Sequence, residues 1–479
     1  MYKAYITVLT NVRKHPNADK LLLADVFGNT VCVSTDYAEG EIGVYFPTDG
    51  QLSVEFAEQN NLVRKKDDAG NNIGGYLEPD KRNIRAIRLR GEKSDGLFLP
   101  LSCLYYTGVD FDTLNVGDVI EGTVNGHEIC CKYIPRSNSS NRRSQPAGNR
   151  TRKHKVPTAP LFKEHADTEQ LAYNLSAFKP GDEIEITLKM HGTSQRTGGL
   201  PVLQGYKKTF WEWLTCKEGT PIYDYGYVSG TRRVVLENYE GGFYGDNEFR
   251  EHHSKTFEGK LWKGETVYYE VVGFTTAGVP IMSDANNKKL NDKEFIKQYG
   301  ETTRFSYGCS PDVLIKNKYV GIDTIETEYL PNPVPQSDIY VYRMTMTNPD
   351  GEVVEYTPDF MRYRCEQMAI KTVPVFGKAI LSEDRLHFVA PDGYDHDYLI
   401  GDGTLGDLVM KVAEEFYDGP DPIGKTHVRE GVVVRIVNRP KFCAYKHKNF
   451  SFKVLEGIIK DTADTPDMEE AQEIEENDN

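Results

Sequence analysis

From Tyr2 to about Ile134 the chain is a succession of short segments in which apolar and polar residues alternate, with Gly, Asp or Asn at the joins: "AYITVL", "KLLLADV", "TVCVST", "GVYFP", "IRAIRL", "DGLFLP" and "DVIEGTV". A period of two sends successive side chains to opposite faces, so these segments read as short strands, and turn residues between them predict a small β-barrel. The pattern then breaks. Residues 135–157 are rich in Ser, Asn, Arg and Pro and lose apolar periodicity, as a flexible linker does. A longer segment, 158–460, mixes strand runs ("DEIEITLKM", "TVYYEVVGF", "IYVYRMTM", "GVVVRIV", "FSFKVL") with the helical runs "NDKEFIKQYG" and "LGDLVMKVAEEFY". The expected class is α+β with an antiparallel bias: a barrel domain over 1–134, a basic linker over 135–157, a second domain over 158–460 and a tail over 461–479.

At 479 residues the chain is long enough for several domains, and no apolar run approaches the ~18 residues that cross a bilayer. It is expected to be soluble and cytoplasmic, with no membrane contact, no secretory signal and no lipid anchor. Eight cysteines are scattered, and the adjacent pair Cys130 and Cys131 lacks metal-ligand spacing, so reduced thiols are expected. The net charge of −15 argues against a polyanionic partner until its distribution is considered. The last 19 residues hold nine acids and no base, and taking those nine charges from −15 leaves −6 for the remainder. Two basic stretches, 81–93 and 136–155, stand against the tail; the second holds seven Lys or Arg and no acid. Segregated charge of this kind suits nucleic acid on one face, although a basic run is equally consistent with a solvated loop.

One short stretch concentrates chemistry. Ile184, Ile186 and Leu188 alternate on one face of a strand, which places Lys189 on the other as the strand ends in "HGTS". A lysine becomes a nucleophile when burial or neighbouring cations lower its pKa, and Gly192 lets a phosphate approach the backbone. Alone, the pattern fits a solvated lysine before a turn better than a nucleophile. Nucleotide transfer to lysine also requires a ribose anchor, a metal ligand and cations for the charge that builds on phosphate oxygens. Glu270 lies within the apolar "VYYEVVG", Glu430 precedes the apolar "GVVVRI", and Lys446, Lys448 and Lys453 follow in "YKHKNFSFK". Carboxylates framed by apolar strands are costly unless paired or liganded.

These residues resemble the nucleotidyltransferase motifs of the covalent lysine superfamily, which includes ATP-dependent DNA ligases, RNA ligases and messenger RNA capping enzymes. Lys189-Met190-His191-Gly192 fits the family's first motif, K-x-D/H/N-G, in its RNA-ligase form; Glu270 with Gly273 is similar to the third, Glu430-Gly431 to the fourth, and Lys446-x-Lys448 to the fifth. The resemblance implies that Lys189 attacks the α-phosphorus of ATP to form lysyl-AMP and that Glu270 binds the ribose. It implies that Glu430 holds a divalent cation, Mg2+ or Mn2+, that Lys446 and Lys448 contact the phosphates, and that His191 steers them. It further implies that Arg232 or Arg233 contacts nucleotide or 5′-phosphate, and that Tyr342 stacks on adenine. Leu188 stands where many relatives have a glutamate that reads the adenine amino group, and the span from Phe274 to Val428 is long for the family.

"HPNADKL" (15–21) and "IRLRGEKSDGLFLP" (87–100) resemble the OB-fold tRNA-binding modules of some synthetases, which makes Arg85, Arg88 and Arg90 candidate nucleic-acid contacts. With such a module in front and K-x-H-G behind it, the chain resembles the Deinococcus-type RNA ligases. That resemblance implies a monomeric enzyme joining 3′-hydroxyl and 5′-phosphate ends at nicks in RNA duplexes or RNA/DNA hybrids. A non-catalytic RNA-binding protein and a capping-type guanylyltransferase are the alternatives. Gly401-x-Gly403-x-x-Gly406 matches a dinucleotide pattern, but no βαβ series surrounds it, so a loop capping a helix is expected there.

Overall fold

The computed structural model describes residues 2–66, 68–70, 72–134, 158–166, 168–210, 214, 219–236, 239, 247–311, 315–319, 325–329 and 336–462. The expected linker and nearly all of the expected acidic tail lie outside the described residues. Contacts divide the chain into two compact units, one of Met1–Arg136, Ala285–Thr302 and Asn449–Pro466, the other of Ser137–Asp284, Thr303–Lys448 and Asp467–Asn479. The boundaries read from composition thus differ from those drawn by contact: 285–302 and the helix Phe450–Thr462 join the first unit.

In the first unit the alternating segments do form strands. Leu97–Pro100, Ile42–Phe46, Ala4–Val8 and Val119–Ile120 make one antiparallel sheet in that order, and Thr10–Lys14, Leu21–Val26 and Asn29–Ser34 make another. Inward residues of the first sheet, Ala4, Val44, Phe46, Leu99 and Ile120, share one core with Leu52 and with Phe56 of the helix Val54–Gln59. Among the described residues the pairings do not close into the expected barrel. The ladder breaks where Asn11 turns to φ +52° and the register slips between Thr10 and Arg13.

"FSFKVL" was expected as a strand and is the start of a helix. The side chain of Asn449 accepts from the Phe452 N–H, and the buried Phe452 and Leu455 continue to Ile459 at helical spacing, so the period of 3.6 prevails over a short run that mimics alternation. Lys453 therefore leaves the alternation with Lys446 and Lys448, and pairs with the buried Asp95 at 2.6 Å. Arg88 is likewise engaged inside the unit, 3.0 Å from Asp292 and over the Phe450 ring. Arg85 is exposed with its stem beside Gly457, and Arg90 is exposed in a left-handed turn at φ +47°.

The second unit holds two larger sheets. Seven strands run in the order Glu169–Gln170, Cys443–Lys448, Gly431–Ile436, Glu183–Lys189, Val375–Leu381, Arg385–Val389, Asp395–Leu399, antiparallel except for the first pair. Five run in the order Thr220–Gly230, Thr193–Lys207, Glu265–Gly273, Ser337–Thr347, Val353–Glu355, all antiparallel. On the smaller sheet Val267, Tyr269, Val271, Val341 and Met344 form a core with Phe249, Met361 and Met368 from two helices and with Phe257 from the turn after the first. The glycine pattern at 401–406 leads into the helix Leu405–Phe416, capped reciprocally by Thr404 and Asp407, with Gly406 packed against the Leu175 carbonyl. It is a packing and capping loop. Among the described residues no helix is long and apolar enough to cross a membrane.

Candidate active site

Lys189 ends its strand in the seven-stranded sheet, and Thr193 opens the long strand of the five-stranded one, so Met190, His191 and Gly192 carry the chain from sheet to sheet. Register places the cations. Lys189 is level with Gly431 and Lys448, and Thr187 with Val433 and Lys446; residues level across antiparallel strands share a face, so the three lysines project to one side. Ile184, Ile186 and Val432 are buried on the other.

Glu430 is the anion among these cations. Its carboxylate is 2% exposed and lies 2.7 Å from Lys189 Nζ, 3.4 Å from Lys448 Nζ and 3.8 Å from His191 Nδ1. One buried carboxylate shared by two ammonium groups offsets the desolvation cost and fixes the position of both. Lys446 lies deeper: burial, then the charges of Lys448, Lys189 and Arg232, lower its pKa from 10.5 to about 8. Arg232 is half-buried and close enough to act on Lys446, whereas Arg233 is exposed and its carbonyl accepts from Arg196.

Gly192 is set by close approach. A Cβ there would stand 2.4 Å from the Val271 carbonyl oxygen and 2.9 Å from Glu270 Cγ. Gly192→Ala is therefore expected to push the turn from the strand that carries Glu270, at about 1–3 kcal/mol for an overpacked site. Thermal unfolding and nucleotide binding measured together will show both losses. Glu270 sits opposite Ser194 and Tyr340, and its carboxylate accepts from Ser194 Oγ at 3.2 Å.

Sequence reasoning missed several parts of this site. The Tyr307 hydroxyl accepts from the His191 N–H at 2.7 Å, and Tyr307, 3% exposed, adopts φ +48°, a strained conformation for an aromatic residue. Phe305 meets the His191 ring edge-on at 4.6 Å, and His427 lies against both aromatics. The fully buried Asp421 holds the loop before Glu430 by accepting from the backbone of Ile423, Gly424 and Thr426.

Tyr342 is half-buried, with the His165 ring at 5.2 Å. His165 also meets Tyr268 and Phe442, its Nδ1 accepts from Arg343 at 3.0 Å, and its N–H donates to the Arg232 carbonyl. Burial, with Arg343, Arg232 and Arg196 nearby, lowers its pKa well below 6.5 and keeps the ring neutral. "FKEHADT" offers no periodic cue to this placement.

Among the described residues no group of three or more His, Cys, Asp or Glu is arranged to hold a metal. A single carboxylate does suit a hard cation that draws its other ligands from phosphate and water, as Mg2+ does. The donor set at Glu430 fits that mode.

No family model and no curated protein matches the chain. Solved structures do. Two ligand-free, substituted forms of an RNA ligase from Naegleria gruberi align over 94% of this chain at 17% identity, with TM-scores of 0.51 and 0.50, covering 97% and 96% of their own chains. A third form, holding ATP and Mn, aligns over 94% of this chain and 97% of its own, at 17% identity and a TM-score of 0.49. At such identity the likeness is one of fold, and the chain is similar in its α+β fold to the RNA ligase of Naegleria gruberi over nearly its whole described length.

Proposed function

We propose that this chain is an ATP-dependent RNA ligase that joins 3′-hydroxyl and 5′-phosphate ends, at nicks in a duplex, through lysyl-AMP and an adenylated 5′ end. The observation that carries the reading is the convergence of Lys189, Lys446 and Lys448 on the buried carboxylate of Glu430, with Arg232 near Lys446, in a fold like that of a known RNA ligase. Four cations around one strand end suit an anionic substrate with several phosphates.

In the first step the lone pair of Lys189 Nζ forms a bond to the α-phosphorus while the bond to pyrophosphate breaks, and the proton displaced from Nζ passes to solvent. Lys189 Nζ lies 2.7 Å from Glu430, and attack requires the side chain to leave this contact and turn to the α-phosphorus. Glu430 would hold a divalent cation, which would supply a Lewis acid for the α-phosphate. Lys446 and Lys448 neutralise the equatorial and leaving oxygens, and Glu270, positioned by Ser194, accepts from the ribose. Tyr342 and His165 wall the base end and give the base an aromatic contact, whereas Leu188 is buried in the core. A 5′-phosphate oxygen then displaces Lys189 from the adenylate, and a 3′-hydroxyl oxygen displaces AMP. In this reading the first unit is an OB-like nucleic-acid-binding module, in which Arg85 and Arg90 present exposed cations and Arg88 contributes through its internal pairing.

The test is a nicked RNA duplex with a labelled 5′-phosphate, incubated with Mg2+ and either ATP or GTP. Joined product with ATP, preceded by an adenylated 5′ end, is expected. Reaction with GTP alone would identify a guanylyltransferase, and binding without reaction a non-catalytic RNA-binding protein.

Lys446 also makes the site sensitive to pH. Its charged form prevails below about pH 8 and is lost above it, so kcat/KM for ATP is expected to fall as pH rises past 8, mainly through KM. Lys446→Arg, which stays charged, should remove that limb from the profile. The linkage has the opposite sign for folding. Between about pH 8 and 10.5 the unfolded chain binds the proton more tightly, so the residue's contribution to stability rises with pH there.

A further inference from the structure

The strands Thr193–Lys207 and Thr220–Gly230 form a long hairpin continuous with the Lys189 turn, paired from Arg196 with Gly230 to Lys207 with Thr220. Paired residues share a face, so Tyr227 with Gly199, Tyr225 with Pro201 and Tyr206 with Pro221 line one side. Leu200, Val202 and Val228 line the other and pack against Phe162 and Leu161. The tyrosine side is bare: Tyr206, Tyr225 and Tyr227 are 42%, 36% and 43% exposed. It continues past Gly199 to Trp262, 48% exposed, whose ring is followed by Phe360 at 6.4 Å and then by Tyr363.

Isolated exposed aromatics need no explanation, but a row of them on one ribbon face does. Its charge indicates the occupant. Lys263 Nζ lies 5.0 Å over the Tyr225 ring and Lys208 is exposed just past the paired end of the strand, against Glu258 in the turn before Trp262; Lys207 projects to the opposite face, and Lys260 Nζ donates to the Met368 carbonyl. A chain of net charge −15 thus shows a positive aromatic surface here. Protein interfaces are depleted of lysine at their centres, whereas unpaired nucleic acid binds to aromatic rings interleaved with cations. The spacing agrees: alternate residues of a strand are about 6.7 Å apart, room for one base of about 3.4 Å between successive rings.

We propose that this face docks an unpaired RNA strand flanking the nicked duplex, an assignment that rests on the RNA-ligase reading for the identity of the strand. The rings stack on bases and the lysines neutralise the backbone.

The test measures binding of a fluorescein-labelled single-stranded RNA by anisotropy, with lysyl-AMP formation from labelled ATP assayed separately. The double variant Tyr225→Ala, Tyr227→Ala is expected to weaken binding about 10- to 100-fold, with the adenylation rate unchanged. Phenylalanine at both positions should retain binding within about threefold, because stacking needs the ring and not the hydroxyl. Unchanged affinity in the alanine variant overturns the proposal, as does wild-type binding restricted to blunt duplex. A wild-type dimer that the alanine variant converts to monomer also overturns it, showing a protein interface instead. Absent lysyl-AMP in wild type would refute the ligase reading alone, since the anisotropy measurement does not depend on it.

Discussion

Lys189→Ala is expected to reduce lysyl-AMP formation below detection, with the protein still folded. The variant removes an amine that combines a strand-end position, partial exposure of 22% and a carboxylate 2.7 Å away. Lys446 and Lys448 are not substitutes, because each is positioned on the neighbouring strand by its own register with Val433 and Gly431. Glu430 keeps Lys448 at 3.4 Å in the variant, so the fold loses little. The check is a denaturing gel after incubation with Mg2+ and ATP labelled at the α-phosphate. Wild type should show an acid-labile covalent band and the variant none, at equal circular dichroism. A band of undiminished intensity in Lys189→Ala would place the nucleophile elsewhere.

The largest expected loss of stability lies away from the lysines. Glu265 is fully buried at the start of the strand that carries Glu270. Its two oxygens accept from Arg364 Nε and a terminal guanidinium nitrogen, each at 2.8 Å, from the Tyr356 hydroxyl at 3.0 Å and from the Trp262 N–H at 2.8 Å. Arg364 in turn lies under the Trp262 ring at 3.8 Å. Glu265→Ala strands a buried guanidinium without its counter-charge, which costs about 3–5 kcal/mol. The midpoint of thermal unfolding should fall by on the order of 10 °C. Replacing both partners together, Glu265→Leu with Arg364→Met, should cost far less, because the desolvated charges go as a pair. Calorimetry of the single and double variants separates the two outcomes. A double variant as damaged as the single would show that the cost is packing and not charge.

Strand parity was legible in the sequence because it is local. The alternation of Ile184, Ile186 and Leu188 places Lys189 on the opposite face, and the two-residue step from Lys446 to Lys448 keeps those lysines together, whatever lies across the sheet. The same local signals separated the helix Leu405–Phe416 and its cap from a dinucleotide loop. They failed where periods compete over a few residues, as at Phe450, where an Asn449 cap and three later turns of apolar spacing produce a helix.

What lay beyond the sequence depends on contacts between segments far apart in the chain. The approach of Lys189 to Glu430, the hydroxyl of Tyr307 under His191, and His165 beside Tyr342 join segments that no periodicity relates. The choice of Arg232 over Arg233 as the cation near Lys446, and the allegiance of 285–302 and 450–462 to the first unit, are of the same kind. Side-chain direction follows from the local backbone, and so from sequence. Which buried charge meets which follows from how sheets pack, where desolvation is offset only by a partner that the fold brings within reach.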